Sequence, residues 1–487
     1  MPSQSYDVIV IGGGAVGENV ADRTVQGGLS TVVVESDLVG GECSYWACMP
    51  SKALLRSGAA LAAARRVPGA AEAVTGNVDA RATLKQRDAI ASQWKDDGQA
   101  KWLDSAGIGL VRGHARLTGM REVTVTGNDG TVTVLTATHA VVVSTGSAAL
   151  LPDIPGLTEI EPWTSRDATS AQEIPPRLAV IGGGVVAAEM AAAYSSLGST
   201  VTVIARSALL GGQEPFAGEL VTAALRENGV TVLVSRSTTA VHRETDGSAT
   251  LTLDDGTTVS ADQVLVAIGR TPRTGDLGLD TVGLDAGSWL TVDDTLLVQG
   301  DSHALDGDWL YATGDVNHRA LLTHQGKYQA RAAGDAIVTR AAGTPVDDAP
   351  WGAHVATADH AAVPQVTFTD PEVASVGLTA ASAVKVGFRV RILDYDLANL
   401  GGSAVLAVGY VGRARAIVDL DREVLLGVTF VGQDVAELLH SATIAIVGEV
   451  PINRLWHAVP SYPTLSEVWL RLLEAYGRPG FIAEESL

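Results

Sequence analysis

The feature that most constrains this chain is a pattern that occurs twice. Residues 7–11 (DVIVI) form a short apolar run, followed by Gly12, Gly13, Gly14, Ala15, Val16 and Gly17, a helix-like stretch to about Gln26, and a second apolar run, Thr31 to Val34, ending in Glu35. The order returns at Leu178 to Ile181, with Gly182, Gly183, Gly184, Val185, Val186 and Ala187, a helix containing Glu189, and a strand-like run from Thr200 to Ile204. A strand that turns through glycines into a helix aims N–H groups at one point and lets a pyrophosphate approach the backbone. Two such units predict an α/β fold with two Rossmann-like dinucleotide-binding domains.

The two units differ where a ribose would lie. Glu35, 18 residues after Gly17, stands where a carboxylate accepts from ribose hydroxyls. In the second unit Ala205 takes that place and Arg206 follows, so a 2′-phosphate meets a cation rather than repulsion. NADPH is therefore the expected nucleotide, with NADH, or both, as the alternative.

Later runs complete each unit: Ala140 to Thr145 before Gly146, and Val264 to Ile268 before Gly269. Leu310 to Thr313, followed by Gly314 and Asp315, places a carboxylate at a third tight turn. From about Val363, strand-like runs at 366–369, 389–393, 414–418 and 425–430 and helix-like stretches at 435–447 and 465–475 predict an α+β domain.

Composition narrows the partners. The 487 residues are enough for several domains, and 34 Lys plus Arg against 55 Asp plus Glu give a net charge of −21, which argues against a surface built to follow nucleic acid or anionic lipid. No apolar run approaches the ~18 residues of a membrane span. Met1 to Ser5 lacks a basic stretch leading into an apolar one, so a cytoplasmic location is expected. The only cysteines, Cys43 and Cys48, lie five positions apart, and a bond between them would restrain almost no unfolded chain. Such a bond points to redox chemistry; the alternative is two small buried hydrophobes.

The segment Gly40, Gly41, Glu42, Cys43, Ser44, Tyr45, Trp46, Ala47, Cys48, Met49, Pro50, Ser51, Lys52 settles this choice. With both glycine-rich units and the Gly314/Asp315 turn, the chain resembles the class I pyridine nucleotide-disulfide oxidoreductases (dihydrolipoamide dehydrogenase, glutathione reductase, mercuric reductase) from about Tyr6 to Tyr476.

The resemblance implies an FAD-binding domain at 1–155 and 281–350, an NAD(P)-binding domain at 156–280 and a C-terminal dimerisation domain at 351–487. FAD would meet Gly12, Gly14, Gly17, Glu35, Gly41, Lys52, Ala115, Thr145, Gly146, Asp315 and Thr323. The nicotinamide nucleotide would meet Gly182, Gly184, Val185, Glu189, Arg206 and Gly269. Electrons would pass from NAD(P)H through FAD to a Cys43/Cys48 disulfide and on to a small-molecule or protein disulfide. Cys48 would be the thiolate beside the flavin and Cys43 the outer thiol that attacks. Lys52 and Glu189 would form a pair near the flavin, a homodimer would complete the site, and no metal ligands are implied.

Departures qualify the substrate. Where the family keeps a histidine paired with a glutamate near the C-terminus, this chain has Tyr462, with Glu467 retained. A phenol with the usual pKa of about 10 is a poor base at neutral pH. His457, five residues earlier, reads first as a structural hydrogen-bonder, with a substitute base as the alternative. Mercuric reductases are similar at that tyrosine and along Val201 to Ser207, yet they carry a further C-terminal cysteine pair, and the tail Gly480 to Leu487 has none. Val185 replaces an aromatic residue that often covers the nicotinamide pocket, Tyr45, Trp46 and Ala47 enlarge the loop between the cysteines, and Glu42 replaces a common threonine. A substrate other than glutathione or lipoamide is expected. The alternatives are a flavin-direct reductase of quinones or other acceptors, and a mercuric reductase-like metal-ion reductase.

Overall fold

The computed structural model describes residues 3–478, so the cysteine-free tail Gly480 to Leu487 lies outside the described residues. Two compact units result. The first takes the chain up to Pro50, Arg87–Leu150 and Gly269–Asp359; the second takes Ser51–Gln86, Leu151–Ile268 and the chain from His360 on.

The first unit is built on a seven-stranded sheet. Strand β1 (Ser3–Ile11) lies between β2 (Thr31–Glu35) and the strand Val132–Val143, parallel to both, with Val8 opposite Thr31 on one side and Ala140 on the other. The strand Leu310–Ala312 adds in parallel beside Val132–Val143. A parallel sheet is covered on both faces, so its strands read as continuous apolar runs rather than alternating ones. Val8, Ile9, Val10, Val32 and Val33 are accordingly fully buried.

Helix α1 (Ala15–Gln26) follows β1, and α2 (Gly41–Tyr45) and α3 (Cys48–Arg65) follow β2. Gly12 makes the first turn possible: its φ is +107°, and a Cβ there would strike the carbonyl of Ser144. A side chain would therefore push the loop and the strand end apart.

The second unit holds a parallel sheet in the order Thr231–Val234, Thr200–Ala205, Arg177–Ile181, Gln263–Val266. Gly182 repeats the arrangement of Gly12, with φ +139° and the carbonyl of Ala267 where a Cβ would go. The C-terminal part is a five-stranded antiparallel sheet with the helices Leu439–Val447 and Val468–Tyr476. Four of its strands fall on the expected runs; the fifth, Glu372–Gly377, follows Pro371 and mixes Ala374 and Ser375 among its apolar residues.

Residues 51–86 belong to the second unit, whereas the sequence assigned them to the first nucleotide fold. The reason is packing: Leu54, Leu55 and Leu84 share one apolar core with Val180, Ala187 and Tyr194. The breaks at Leu150/Leu151, Ile268/Gly269 and Asp359/His360 also differ from the expected 155/156, 280/281 and 350/351.

Candidate redox site

Cys43 sits in α2 and Cys48 opens α3, so a short turn brings the two thiols together. Neither is in a disulfide here, and the Cys43 thiol is hydrogen-bonded to Cys48. Thr323, at the start of the helix Thr323–Ala341, lies with its Oγ1 3.3 Å from Cys48 Sγ and also bonds Cys43. The hydrogen bond from Cys48, and then burial, push the Cys43 thiol well above the ordinary cysteine range, while Thr323 and Lys327 pull it down. A thiol of the reduced pair must lose its proton before it can attack a disulfide.

Lys52 lies one turn beyond Cys48 on α3. Its Nζ donates to Glu189 Oε2 at 2.8 Å and lies 4.9 Å from the centre of the Phe368 ring. The other oxygen of Glu189 accepts the N–H of Phe368 at 2.9 Å, so this buried carboxylate has a partner at each oxygen. Phe368 is absent from the sequence-based set because nothing in its flanks marks it.

The glycine loops form two cradles. Gly14 meets Gly40 and Gly41 across a gap without side chains, and a Cβ on Gly41 would come within 2.8 Å of Gly14 Cα. Glu35 accepts the N–H of Gly13 at 2.6 Å through one oxygen and that of Asp37 at 2.7 Å through the other. Each oxygen keeps a lone pair for a ribose hydroxyl. Burial raises the Glu35 pKa, and these two N–H bonds work against it.

Thr145 Oγ1 is buried with no hydrogen-bond partner among the described residues, as expected of a wall that a dinucleotide satisfies. Beside it, Gly146 adopts φ +71°, and Asp315 accepts from Ser147 Oγ at 2.5 Å while Arg270 binds the same serine. Ala115 is buried in the strand His114–Gly119, opposite Val125. The residues present therefore fit a flavin dinucleotide, which Gly12, Gly14, Gly17, Glu35, Gly41, Thr145, Gly146 and Asp315 would hold. When bound, FAD takes a hydride from a nicotinamide nucleotide and delivers two electrons to a disulfide. Thr323, expected at the cofactor, bonds the thiols.

In the second unit, Gly184 caps the helix Val185–Ser196, and Val185 at its first position is exposed. Arg206 is exposed directly after the strand Thr200–Ala205, and Gly269 has φ +148°. Tyr462 is 78% exposed, whereas Glu467 is buried with Oε2 unpartnered among the described residues. A Cβ on Gly401 would lie 3.1 Å from the Tyr462 ring and 3.3 Å from that oxygen, so phenol and carboxylate converge on one glycine. His457 is exposed.

Sequence reasoning missed Arg273, whose Nη2 bonds Glu42 Oε1 at 2.8 Å and holds the residue before Cys43. It also missed Glu18, which is buried in the first turn of α1. An acid at that point of a helix is ordinary for the helix dipole, which hides any further role.

Two glycine-built cradles and a pair of adjacent thiols are the features of a nucleotide-linked flavin oxidoreductase working through a disulfide. Residues 6–334 match the model of the pyridine nucleotide-disulphide oxidoreductase family, and residues 363–472 match its dimerisation domain. The chain belongs to this family. It is 32% identical to a mercuric reductase of Acidithiobacillus ferrooxidans over 95% of this chain and 81% of the relative. It is 31% identical to a dihydrolipoyl dehydrogenase of Haloferax volcanii over 96% of this chain and 95% of the relative.

Among solved structures, the HOCl-induced flavoprotein disulfide reductase RclA of Escherichia coli, as a Cu(II) complex, superposes with a TM-score of 0.81 at 20% identity, covering 97% of this chain and 99% of that one. LpdA of Mycobacterium tuberculosis gives 0.80 at 23%, covering 98% and 100%, and both likenesses concern the fold. The protein is an FAD-containing, NAD(P)H-linked disulfide oxidoreductase.

Proposed function

We propose that this protein is a cytoplasmic, homodimeric, NADPH-dependent reductase of a low-molecular-weight or protein disulfide other than glutathione or lipoamide. The observation that carries the reading is the Cys43/Cys48 pair itself, two thiols hydrogen-bonded to each other with Thr323 on both. Cys43 would attack the substrate disulfide and Cys48 would resolve the mixed disulfide. Lys52, neutralised on one side by Glu189, would supply a positive charge for an electron-rich cofactor.

Exposed Arg206, with Ala205 where a carboxylate would repel phosphate, supports NADPH over NADH. The catalytic set is then Cys43, Cys48, Lys52 and Glu189, joined by Tyr462 and Glu467 from the second copy. The mercuric reductases among its relatives raise a metal ion as a competing acceptor, but the sequence offers no thiols besides Cys43 and Cys48 to relay one.

The test is Cys43→Ser in the flavin-loaded protein. NADPH should still reduce the flavin while turnover across a panel of disulfides disappears. Disulfide turnover that survives the substitution would remove Cys43 from the mechanism; quinone turnover that survives, with no disulfide accepted by the wild type, would favour the flavin-direct reading. In the same preparation, NADPH should reduce the flavin at least about tenfold more efficiently than NADH, and Arg206→Ala should narrow that ratio.

A further inference from the structure

Arg273 is a cation that neither the thiols nor the Lys52–Glu189 pair employs. It follows the strand Arg270–Pro272, which pairs antiparallel with Ser147–Ala149. Its N–H meets the carbonyl of Gly146 at 3.1 Å, its Nε donates to the Ser147 carbonyl at 3.0 Å, and its Nη2 donates to Glu42 Oε1 at 2.8 Å. Neither side-chain bond uses Nη1. Arg270 is engaged differently: its Nε and Nη2 both go to Ser147, and it lies 3.7 Å from Asp315.

These bonds place Arg273 on the rim of the first cradle. On one side, Glu42 follows Gly41, which faces Gly14 at the head of α1 so closely that a Cβ would collide. On the other, Gly146 and Ser147 continue the wall in which Thr145 Oγ1 is buried and unpaired, and Ser147 Oγ donates to Asp315 at 2.5 Å. One hydrogen-bonded chain thus runs from Glu42 through Arg273 and Ser147 to Asp315, joining the residues between which the dinucleotide would lie.

Stability alone gives this ion pair little reason to exist. Its side chains are 43% and 27% exposed, and pairs this open to water contribute little. What the pair changes is the field at the cradle. The head of α1 offers N–H groups to a phosphate, whereas a bare carboxylate at position 42 would repel one.

We propose that Arg273 is a further FAD-binding residue: its guanidinium neutralises Glu42 and holds the cofactor's pyrophosphate through the N–H groups that Glu42 leaves free, with Glu42 as the positioning residue. A guanidinium presents several N–H donors in one plane, so it binds a carboxylate on one edge and a phosphate on another. The carbonyl of Ser147, a residue only 2% exposed, anchors it, so little side-chain freedom remains to be lost when a phosphate arrives. The role is independent of the electron acceptor.

The experiment follows FAD retention rather than turnover. Full-length holoprotein, wild type and variants, is diluted stepwise in low-salt buffer, and the flavin that passes an ultrafiltration membrane gives the Kd. Arg273→Met should weaken FAD at least about tenfold, through the loss of a charged hydrogen bond and the unmasking of an acid. Raising the salt should narrow that gap, because the lost attraction and the new repulsion are both screened. Glu42→Gln should hold FAD at least as tightly as wild type, since Gln keeps an oxygen for Nη2 and removes the charge. Arg273→Met combined with Glu42→Gln should recover part of the loss.

FAD held by Arg273→Met as tightly as by wild type would overturn the proposal, because the guanidinium would then have no part in binding. So would Glu42→Gln releasing FAD as readily as Arg273→Met, which would make the pair a brace on the helix that carries Cys43 with no action on the phosphates. If Arg273→Met does not fold, Glu42→Gln decides, since the binding role and the brace predict opposite results for it.

Discussion

Two buried carboxylates in this protein have opposite fates. Glu189 is bonded at both oxygens, to Lys52 Nζ and the Phe368 N–H, so removing the lysine strands a charge in the interior. Breaking such a pair on one side costs about 3 kcal/mol. Lys52→Met is therefore expected to lower the urea midpoint clearly, and Lys52→Met with Glu189→Leu to recover part of the loss; equal midpoints for Lys52→Met and wild type would mean that the pair contributes nothing. Glu18 has no such partner, and its pKa rises from 4.5 to about 7. The folded state then holds a proton that the unfolded chain has lost, so stability falls as pH rises from about 4.5 through 7 and is level above. The shift corresponds to about 3 kcal/mol. Glu18→Gln should flatten this part of the stability-versus-pH curve of the flavin-free protein and melt higher at pH 8, and a curve parallel to wild type would contradict the shift.

The elements fail and succeed separately because each nucleotide cradle is a local object. At Gly182 the backbone is left-handed and the carbonyl of Ala267 occupies the Cβ position, so Gly182→Ala must deform the second cradle while Gly12, with its own strand and helix, is untouched. The expected outcome is a protein with wild-type flavin content that NADPH no longer reduces, read by absorbance; normal reduction would mean that the loop accommodates a methyl group without cost. This locality also explains what the sequence disclosed. Parallel strands buried on both faces announce themselves as runs such as VVV before Glu35, and glycine turns fix the helix starts that follow. The antiparallel strand Glu372–Gly377 is short, follows a proline and has one face only partly buried, so its pattern is lost among small residues. The thiol pair and the Lys52–Glu189 pair were legible through resemblance, since no spacing rule brings together residues 137 apart. Glu18, Lys327 and Phe368 were not, because an acid in a first helical turn, a lysine on a helix and a lone phenylalanine each have an ordinary explanation that only packing removes.

At the scale of the whole molecule, the segment matched as a dimerisation domain carries apolar side chains that its own sheet does not cover. Ile444 is 57% exposed on the helix Leu439–Val447, whose Leu439, Ala442, Ala445 and Ile446 are buried, and Val459 is 84% exposed three residues before Tyr462. Apolar surface left beside buried core of the same helix is what a second copy would cover. Each copy carries a net charge of −21, so two copies repel at long range and contact must be apolar. Light scattering should thus report a dimer that tightens as salt screens the repulsion over a Debye length of ~10 Å at about 0.1 M. Ile444→Glu, which puts a like charge of each copy into the covered face, should yield monomers with flavin content and NADPH reduction preserved. If Tyr462 and Glu467 serve the thiols of the other copy, those monomers should lose disulfide turnover at all pH values. Monomers with full disulfide turnover would show that each chain carries its whole site and would leave Tyr462 as a filler of space.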